Sequence, residues 1–319
     1  MSSHSGSRTV VYAALAGNLL ITVSKFFAAT VTGSSAMLSE GVHSLVDSIN
    51  ELLLLYGLHR AKALRDETHP FGYGRELYFW SFIVALMVLA IGAGVSFYEG
   101  VMHLREPEPI ANPLVNYIVL GVSLLFEGTS WSIALREFRA RKGNLGYFEA
   151  FRRSKDPSTF TVLLEDSAAL LGLLIAFVGV FGAQLFDMPR LDGAASIGIS
   201  IVLATTAILL LRESKSLLIG EPAHPHVRES ILEIAGADPG VRHANGVLTM
   251  QMGPNQVVAA LSAEFEDSLT TPQIEACIDR IEKNAKAAHV EITALFVKPQ
   301  TEATWRGRRQ AIDAASEQK

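Results

Sequence analysis

Four polar side chains in the stretch Ser34–Tyr56 fall on one helical face. Glu40, His43, Asp47 and Asn50 or Glu51 recur at three- and four-residue spacing, and Leu, Val and Ile fill the opposite face. His43 and Asp47, one turn apart, can offer an imidazole nitrogen and a carboxylate oxygen to a single point. That pair suits a borderline divalent ion such as zinc. Acyltransferases also carry His-x-x-x-Asp, but in a soluble active-site channel, whereas this pair sits inside an apolar run. An intramembrane enzyme would need a nucleophile beside a base. Ser44 and Ser48 are available, without a clear base–nucleophile arrangement.

Glu165 and Asp166 are adjacent in another apolar run. Neighbouring helical positions stand about 100° apart, so only one of the two can point fully at a given partner. Carboxylates inside a membrane must be protonated, paired or bound to a cation. A cation shared by His43, Asp47 and Asp166 would meet that need, and the same groups could carry a proton once the ion leaves. The alternative is a structural pair with Lys25 or with an arginine at a span end. Asp66 and His69, in a polar hairpin, could form a second, weak ion site, although a hairpin histidine is more often simply solvated. His224, His226, His243 and His289 have no tight ligand spacing and read as surface residues. Cys277, the single cysteine, reads as core, and excludes both an internal disulfide and a thiolate-built metal site.

These residues need a particular framework. The chain has 319 residues, of which 49% are hydrophobic and 18% charged, below the usual quarter for a soluble domain. Mean hydropathy is +0.29, the average of an apolar portion ending near Ile219 and a mixed-charge portion after it. A net charge of −5 argues against nucleic acid as a partner. The polar N-terminus and the lack of a small-residue cleavage site after the first apolar run predict no signal peptide.

Six membrane-spanning helices are predicted, over residues 10–31, 36–58, 77–103, 113–135, 158–181 and 193–211. Basic residues concentrate in the second-to-third connection (Arg60, Lys62, Arg65, Arg75) and the fourth-to-fifth (Arg136, Arg139, Arg141, Lys142, Arg152, Arg153, Lys155). The other connections hold only Arg105 and Arg190, a bias that puts both termini in the cytoplasm. Beyond Gly220 the pattern predicts a small cytoplasmic α+β domain in the order αββαβ. Its elements are a helix over 227–235, strands over 246–252 and 256–265, a helix over 271–288 capped by Thr270 or Thr271, and a strand over 290–297. The expected division is a transport domain 1–219, a cytoplasmic domain 220–299 and a polar tail 300–319 whose composition allows disorder.

Several motifs together resemble the cation diffusion facilitator family of divalent-metal exporters. They are Thr32-Gly33-Ser34-Ser35-Ala36-Met37-Leu38, the His43–Asp47 segment, His69-Pro70-Phe71-Gly72-Tyr73-Gly74-Arg75, Asp166 followed by Ser-Ala-Ala-Leu-Leu-Gly, and Leu217-Leu218-Ile219-Gly220-Glu221. Val162-Leu163-Leu164-Glu165-Asp166-Ser167-Ala168-Ala169 is most similar to the zinc-transporter-nine branch. The resemblance implies a transport site on His43, Asp47, Asp166 and the position of Val162. Valine cannot ligate, so Glu165, Asn50 or water stands as the fourth ligand. It also implies a hairpin site in which Asp66 and His69 match but Tyr73 replaces a histidine. The last strand ends Leu295-Phe296-Val297-Lys298-Pro299, without the ligands that the family's soluble-domain zinc sites would require there.

The resulting expectation is a homodimeric, multi-pass protein of a bacterial inner (plasma) membrane that is not an enzyme and holds no prosthetic group. It would export divalent cations, zinc first, by alternating access with proton antiport. The competing expectation is a non-transporting membrane scaffold or regulator acting through its cytoplasmic domain, which the replacements at Val162 and Tyr73 keep open.

Overall fold

The computed structural model describes residues 4–143, 146–147, 149–150 and 154–317; Arg152 and Arg153 of the basic connection lie outside them. The chain divides into two compact units. One comprises residues up to Arg60 with Glu76–Lys215; the other comprises Ala61–Arg75 with the residues from Ser216 on.

The first unit is helical. Helix α1 (His4–Thr32) stops at Gly33, whose φ of +71° favours glycine and whose N–H closes on the Ala29 carbonyl at 2.9 Å. Helix α2 (Ser35–Ala61) carries the polar stripe. Helix α3 (Arg75–Arg105) is interrupted by a π-helical turn at Val88–Ala93. Helices α4 (Pro113–Lys142) and α5 (Pro157–Leu185) each begin with a proline, which sits well where the N–H has no helical partner. Helix α6 (Arg190–Ile219) is the last. Among the described residues, four helices are long and apolar enough to cross a membrane: Arg75–Arg105, Pro113–Ala140, Phe160–Leu185 and Arg190–Ile219.

Two helices run further than hydropathy alone predicts. Helix α4 continues to Lys142 and α6 to Ile219, because Arg136 to Lys142 and Arg212 to Lys215 are polar yet largely good helix formers. Helices α3 and α6 meet backbone to backbone at Gly100. A Cβ there would lie 2.8 Å from the Gly193 carbonyl oxygen and 2.9 Å from the Ile197 nitrogen. Small residues allow such close approach where apolar packing has to hold helices together. The core includes Ala28, Met37, Val46, Leu120, Ala168 and Ile199, so it draws on α1, α2, α4, α5 and α6.

The second unit is built from α7 (Pro225–Gly236), β1 (Val241–Gly253), β2 (Gln256–Phe265), α8 (Thr271–Ala288), β3 (Ile292–Pro299) and α9 (Glu302–Glu317). Strands order β1-β2-β3, with β1 antiparallel to β2 and β2 parallel to β3. The parallel pairing needs a crossover, which α8 supplies. Val227, Ile231 and Ala235 of α7 and Cys277, Ile281 and Ala285 of α8 bury with Val247, Leu261 and Ile292 of the sheet. Thr270 caps α8 in a capping box with Gln273. Strand β1 begins earlier than expected, at Val241, its register broken by irregularities around Val241–His243 and Ala244–Gly246.

Two expectations need correction here. The tail is not disordered over its described length: it forms α9, and the order is αββαβα. Trp305 packs so closely on Gly246 that a Cβ there would clash with the indole, and Glu264 Oε2 accepts the Glu302 N–H at 2.8 Å. An aromatic anchor and a carboxylate at the helix start hold an otherwise polar segment. The hairpin Ala61–Arg75 also groups with this unit, not with the helices that flank it in sequence. Phe71 meets Phe296 edge to face at 6.3 Å.

Candidate metal site in the helical unit

The stripe on α2 is held from both ends. At its start, Asp192 of α6 accepts from the Ser34 hydroxyl at 2.7 Å, the Ser35 N–H at 2.5 Å and the Ala36 N–H at 3.3 Å. A carboxylate here satisfies donors that have no helical partner and complements the helix dipole. Midway, fully buried Lys25 of α1 donates to Glu40 Oε2 at 3.0 Å and to Ser44 Oγ at 2.7 Å. Further along, Asn18 donates to Glu51 Oε2 at 3.1 Å. Helix α5 passes Glu40 at Gly172, where a Cβ would collide with Glu40 Oε1. Glu40 is thus committed to Lys25, and among the described residues Lys25 pairs with Glu40 instead of Glu165 or Asp166.

These contacts leave His43 and Asp47 together and otherwise unengaged. His43 Nδ1 lies 3.4 Å from Asp47 Oδ1, and His43 is only 1% exposed. Among the described residues neither ring nitrogen of His43 has a hydrogen-bond partner, nor does Asp47 Oδ1 or Asn50 Oδ1. Buried polar atoms without partners are costly, and a cluster of them marks a place where something else binds.

The structure separates Glu165 from Asp166. Asn50 of α2 donates to Glu165 Oε1 at 3.0 Å, so Glu165 faces the stripe. Asp166 Oδ2 instead accepts from Ser130 Oγ of α4 at 2.9 Å. One turn before Glu165, the hydroxyl of buried Thr161 also has no partner among the described residues, whereas Val162, one turn before Asp166, is 39% exposed.

In the hairpin, Asp66 is occupied by its own loop. It accepts from Tyr73 Oη at 2.6 Å, from Thr68 Oγ1 at 2.8 Å and from the His69 N–H at 2.7 Å, and His69 Nδ1 stands 3.6 Å away. The Tyr73 hydrogen bond above all, then those of Thr68 and the His69 amide, holds the Asp66 carboxyl well below the usual carboxylate range. Both Asp66 and His69 are about half exposed, at 50% and 53%. In the second unit, His226 is exposed as expected, while His289 is mostly buried and converges with His226 and Glu291, a grouping that sequence spacing does not reveal. Cys277 is buried as expected.

Comparison with known proteins gives this arrangement a context. The cation efflux transmembrane domain profile matches residues 11–219. Over 268 residues, 83% of this chain, the sequence is 33% identical to proteins named proton-coupled zinc antiporter SLC30A9, mitochondrial, from Xenopus laevis and Homo sapiens. Those alignments cover 48% and 47% of the relatives, so the chain spans about half the length of these curated proteins. It is also 28% identical to the cation-efflux pump FieF of Cronobacter sakazakii, over 88% of this chain and 89% of that protein. A profile match over most of the chain and relatives of this similarity place it among membrane transporters, not enzymes: the chain belongs to the cation efflux, or cation diffusion facilitator, family.

Proposed function

We propose that this protein exports a divalent cation, zinc first, in exchange for protons, and that the ion binds between α2 and α5. The observation that carries the reading is the pair of buried His43 and partly buried Asp47, whose ring nitrogens and Oδ1 have no hydrogen-bond partner among the described residues, with Glu165 turned toward it. One imidazole and two carboxylates form a donor set that suits zinc. Asp166, held by Ser130, and Asn50 complete or support the set. The same groups take protons when the ion departs, so an inward proton gradient drives release on the outer side. The names of the relatives, a zinc antiporter and a cation-efflux pump, agree with this choice.

In this reading all six helices α1–α6 cross the membrane, and alternating access exposes the site first to one side and then to the other. In this reading both termini face the cytoplasm, which the excess of basic residues in two of the connections supports, and the membrane is a bacterial inner membrane. The transport domain corresponds to residues 1–219, and the cytoplasmic domain that follows joins two copies into a homodimer. The Asp66–His69 hairpin adds at most a weak second ion site, because its carboxylate is already hydrogen-bonded within the loop.

Zinc flux into proteoliposomes tests the proposal. The purified protein should move zinc at a rate that responds to an imposed pH gradient, and Asp47→Ala should abolish the flux. Folded protein that moves none of zinc, manganese, iron or cobalt would replace transport with a scaffold role for the second unit.

A further inference from the structure

The sheet of the second unit has one face that α7 and α8 leave open. Leu248 of β1 lies opposite Ala260 of β2, Ala260 opposite Phe296 of β3, and Ser262 opposite Lys298, so these side chains share a face. Helices α7 and α8 bury the other face, through Val247 and Leu261 among others. On the open face Leu248 and Phe296 remain 58% and 55% exposed. Helix α9 packs on part of it, with the Trp305 indole seated on Gly246, where the lack of a Cβ permits the approach. Beside α9 lies a cavity of about 460 Å³ whose apolar wall includes Leu248, Ala260 and Trp305.

The charged groups around this cavity are all of one sign. Lys298 of β3 and Arg308 and Arg309 of α9 line it, and among the described residues no carboxylate does. None of the three cations has an acidic partner among those residues, whereas Arg306 of the same helix pairs with Glu302. Gln300 adds a neutral donor. Its main-chain N–H bonds to the Ala263 carbonyl at 2.9 Å, and its Oε1 accepts from Ser262 Oγ at 3.4 Å. Its Nε2 is buried with no hydrogen-bond partner among the described residues. Such a donor is costly and marks a place for an acceptor.

These features select a ligand class. The apolar wall takes a hydrocarbon, and the unpaired cations and the amide take an anionic head. Arginine suits a carboxylate above all, because it can grip one with two parallel hydrogen bonds. Small-molecule sites span roughly 300–1,000 Å³, so this one suits a single alkyl chain better than the two of a membrane phospholipid. A metal cation would be repelled. A second copy of the chain fits poorly, since a two-fold contact centred here would set the three cations against their own copies.

We propose that the groove between α9 and the open sheet face binds a single-chain carboxylate amphiphile, of the long-chain fatty acid class. Its chain lies along Leu248 and Ala260 beside Trp305, and its carboxylate sits among Lys298, Arg308 and Arg309. Binding thereby ties α9 to β3, at a place separate from the site between α2 and α5.

The test uses the full-length protein in phosphatidylcholine nanodiscs, which avoid a competing detergent. Dodecanoate carrying a diazirine in its chain is photo-crosslinked, and mass spectrometry locates the label. Label is expected on peptides containing Leu248, Ala260 or Trp305, and excess plain dodecanoate should remove it. Arg308→Gln with Arg309→Gln should cut labelling tenfold or more, and Ala260→Trp, which fills the groove, should do the same. Arg228→Gln, at an exposed arginine of α7, should not. Arg308 and Arg309 are exposed, so their substitution leaves folding intact even if that at Ala260 does not. Labelling within twofold of the parent after the double arginine substitution, or label confined to the membrane helices, would overturn the proposal. Equal competition by dodecanol would remove the role of charge, and stronger competition by dodecyl phosphate would assign the site to a phosphate head; either result refutes a carboxylate site. A disulfide between two copies of a Leu248→Cys chain would make the groove a contact between copies and refute it too. The outcome is independent of transport: flux can fail while this binding stands, and the reverse.

Discussion

The Lys25–Glu40 pair gives the sharpest test of how α1 grips α2. Both side chains are 0% exposed and their charged atoms are 3.0 Å apart. At an effective dielectric constant near 20, charges at that distance attract by about 5.5 kcal/mol. Much of this is offset by stripping water from both ions, so the net worth of the intact pair is small. The asymmetry appears when one partner is removed. Lys25→Met leaves Glu40 buried without its counter-charge, which costs about 3–5 kcal/mol. Lys25→Met with Glu40→Gln removes both charges and should recover most of that loss. Reversible unfolding in mixed micelles, followed by fluorescence of the three tryptophans, measures all four corners of the cycle. The singles should be clearly destabilised and the double close to the parent. If Lys25→Met unfolds within about 0.5 kcal/mol of the parent, the size of an ordinary surface change, the pair does not hold these helices and the argument fails. Strictly additive losses in the double would refute it equally.

Three further outcomes follow from the same geometry. Glu165→Gln should abolish zinc flux, while Asp166→Asn, at a group held by Ser130, should cost roughly tenfold in apparent affinity; equal losses would mean that α5 presents a different face to α2. Asp192→Ala removes the cap of α2 and should lower stability by about 1–2 kcal/mol in thermal unfolding, with a raised KM for zinc as the stripe loses its anchor. Tyr73→Phe removes the largest cause of the depressed Asp66 acidity. Because the folded pKa lies below the unfolded value of about 3.9, the hairpin gains stability above that pH and loses it as pH falls through the folded value. The variant should lose hydrogen-exchange protection at the His69 amide at a higher pH than the parent, and unchanged acid protection would count against the Asp66 network.

Local signals read well from the chain because they depend on neighbours in sequence. The Gly33 break, the Thr270 cap, the buried face of Cys277 and the one-turn spacing of His43 and Asp47 all follow from helical periodicity and turn chemistry, and each stands in the structure. What spacing could not decide was how helices rotate about their own axes and which distant groups meet. Glu165 and Asp166 are adjacent in sequence, yet packing sends one to Asn50 and the other to Ser130. The cap of α2 comes from Asp192, 157 positions away from Ser35. The partner of Lys25, the docking of the tail helix through Trp305 and the meeting of His226 with His289 are likewise products of tertiary packing. A sequence states which groups a face can offer; only the packed chain fixes which of them face one another, because burial and pairing are properties of three-dimensional neighbours.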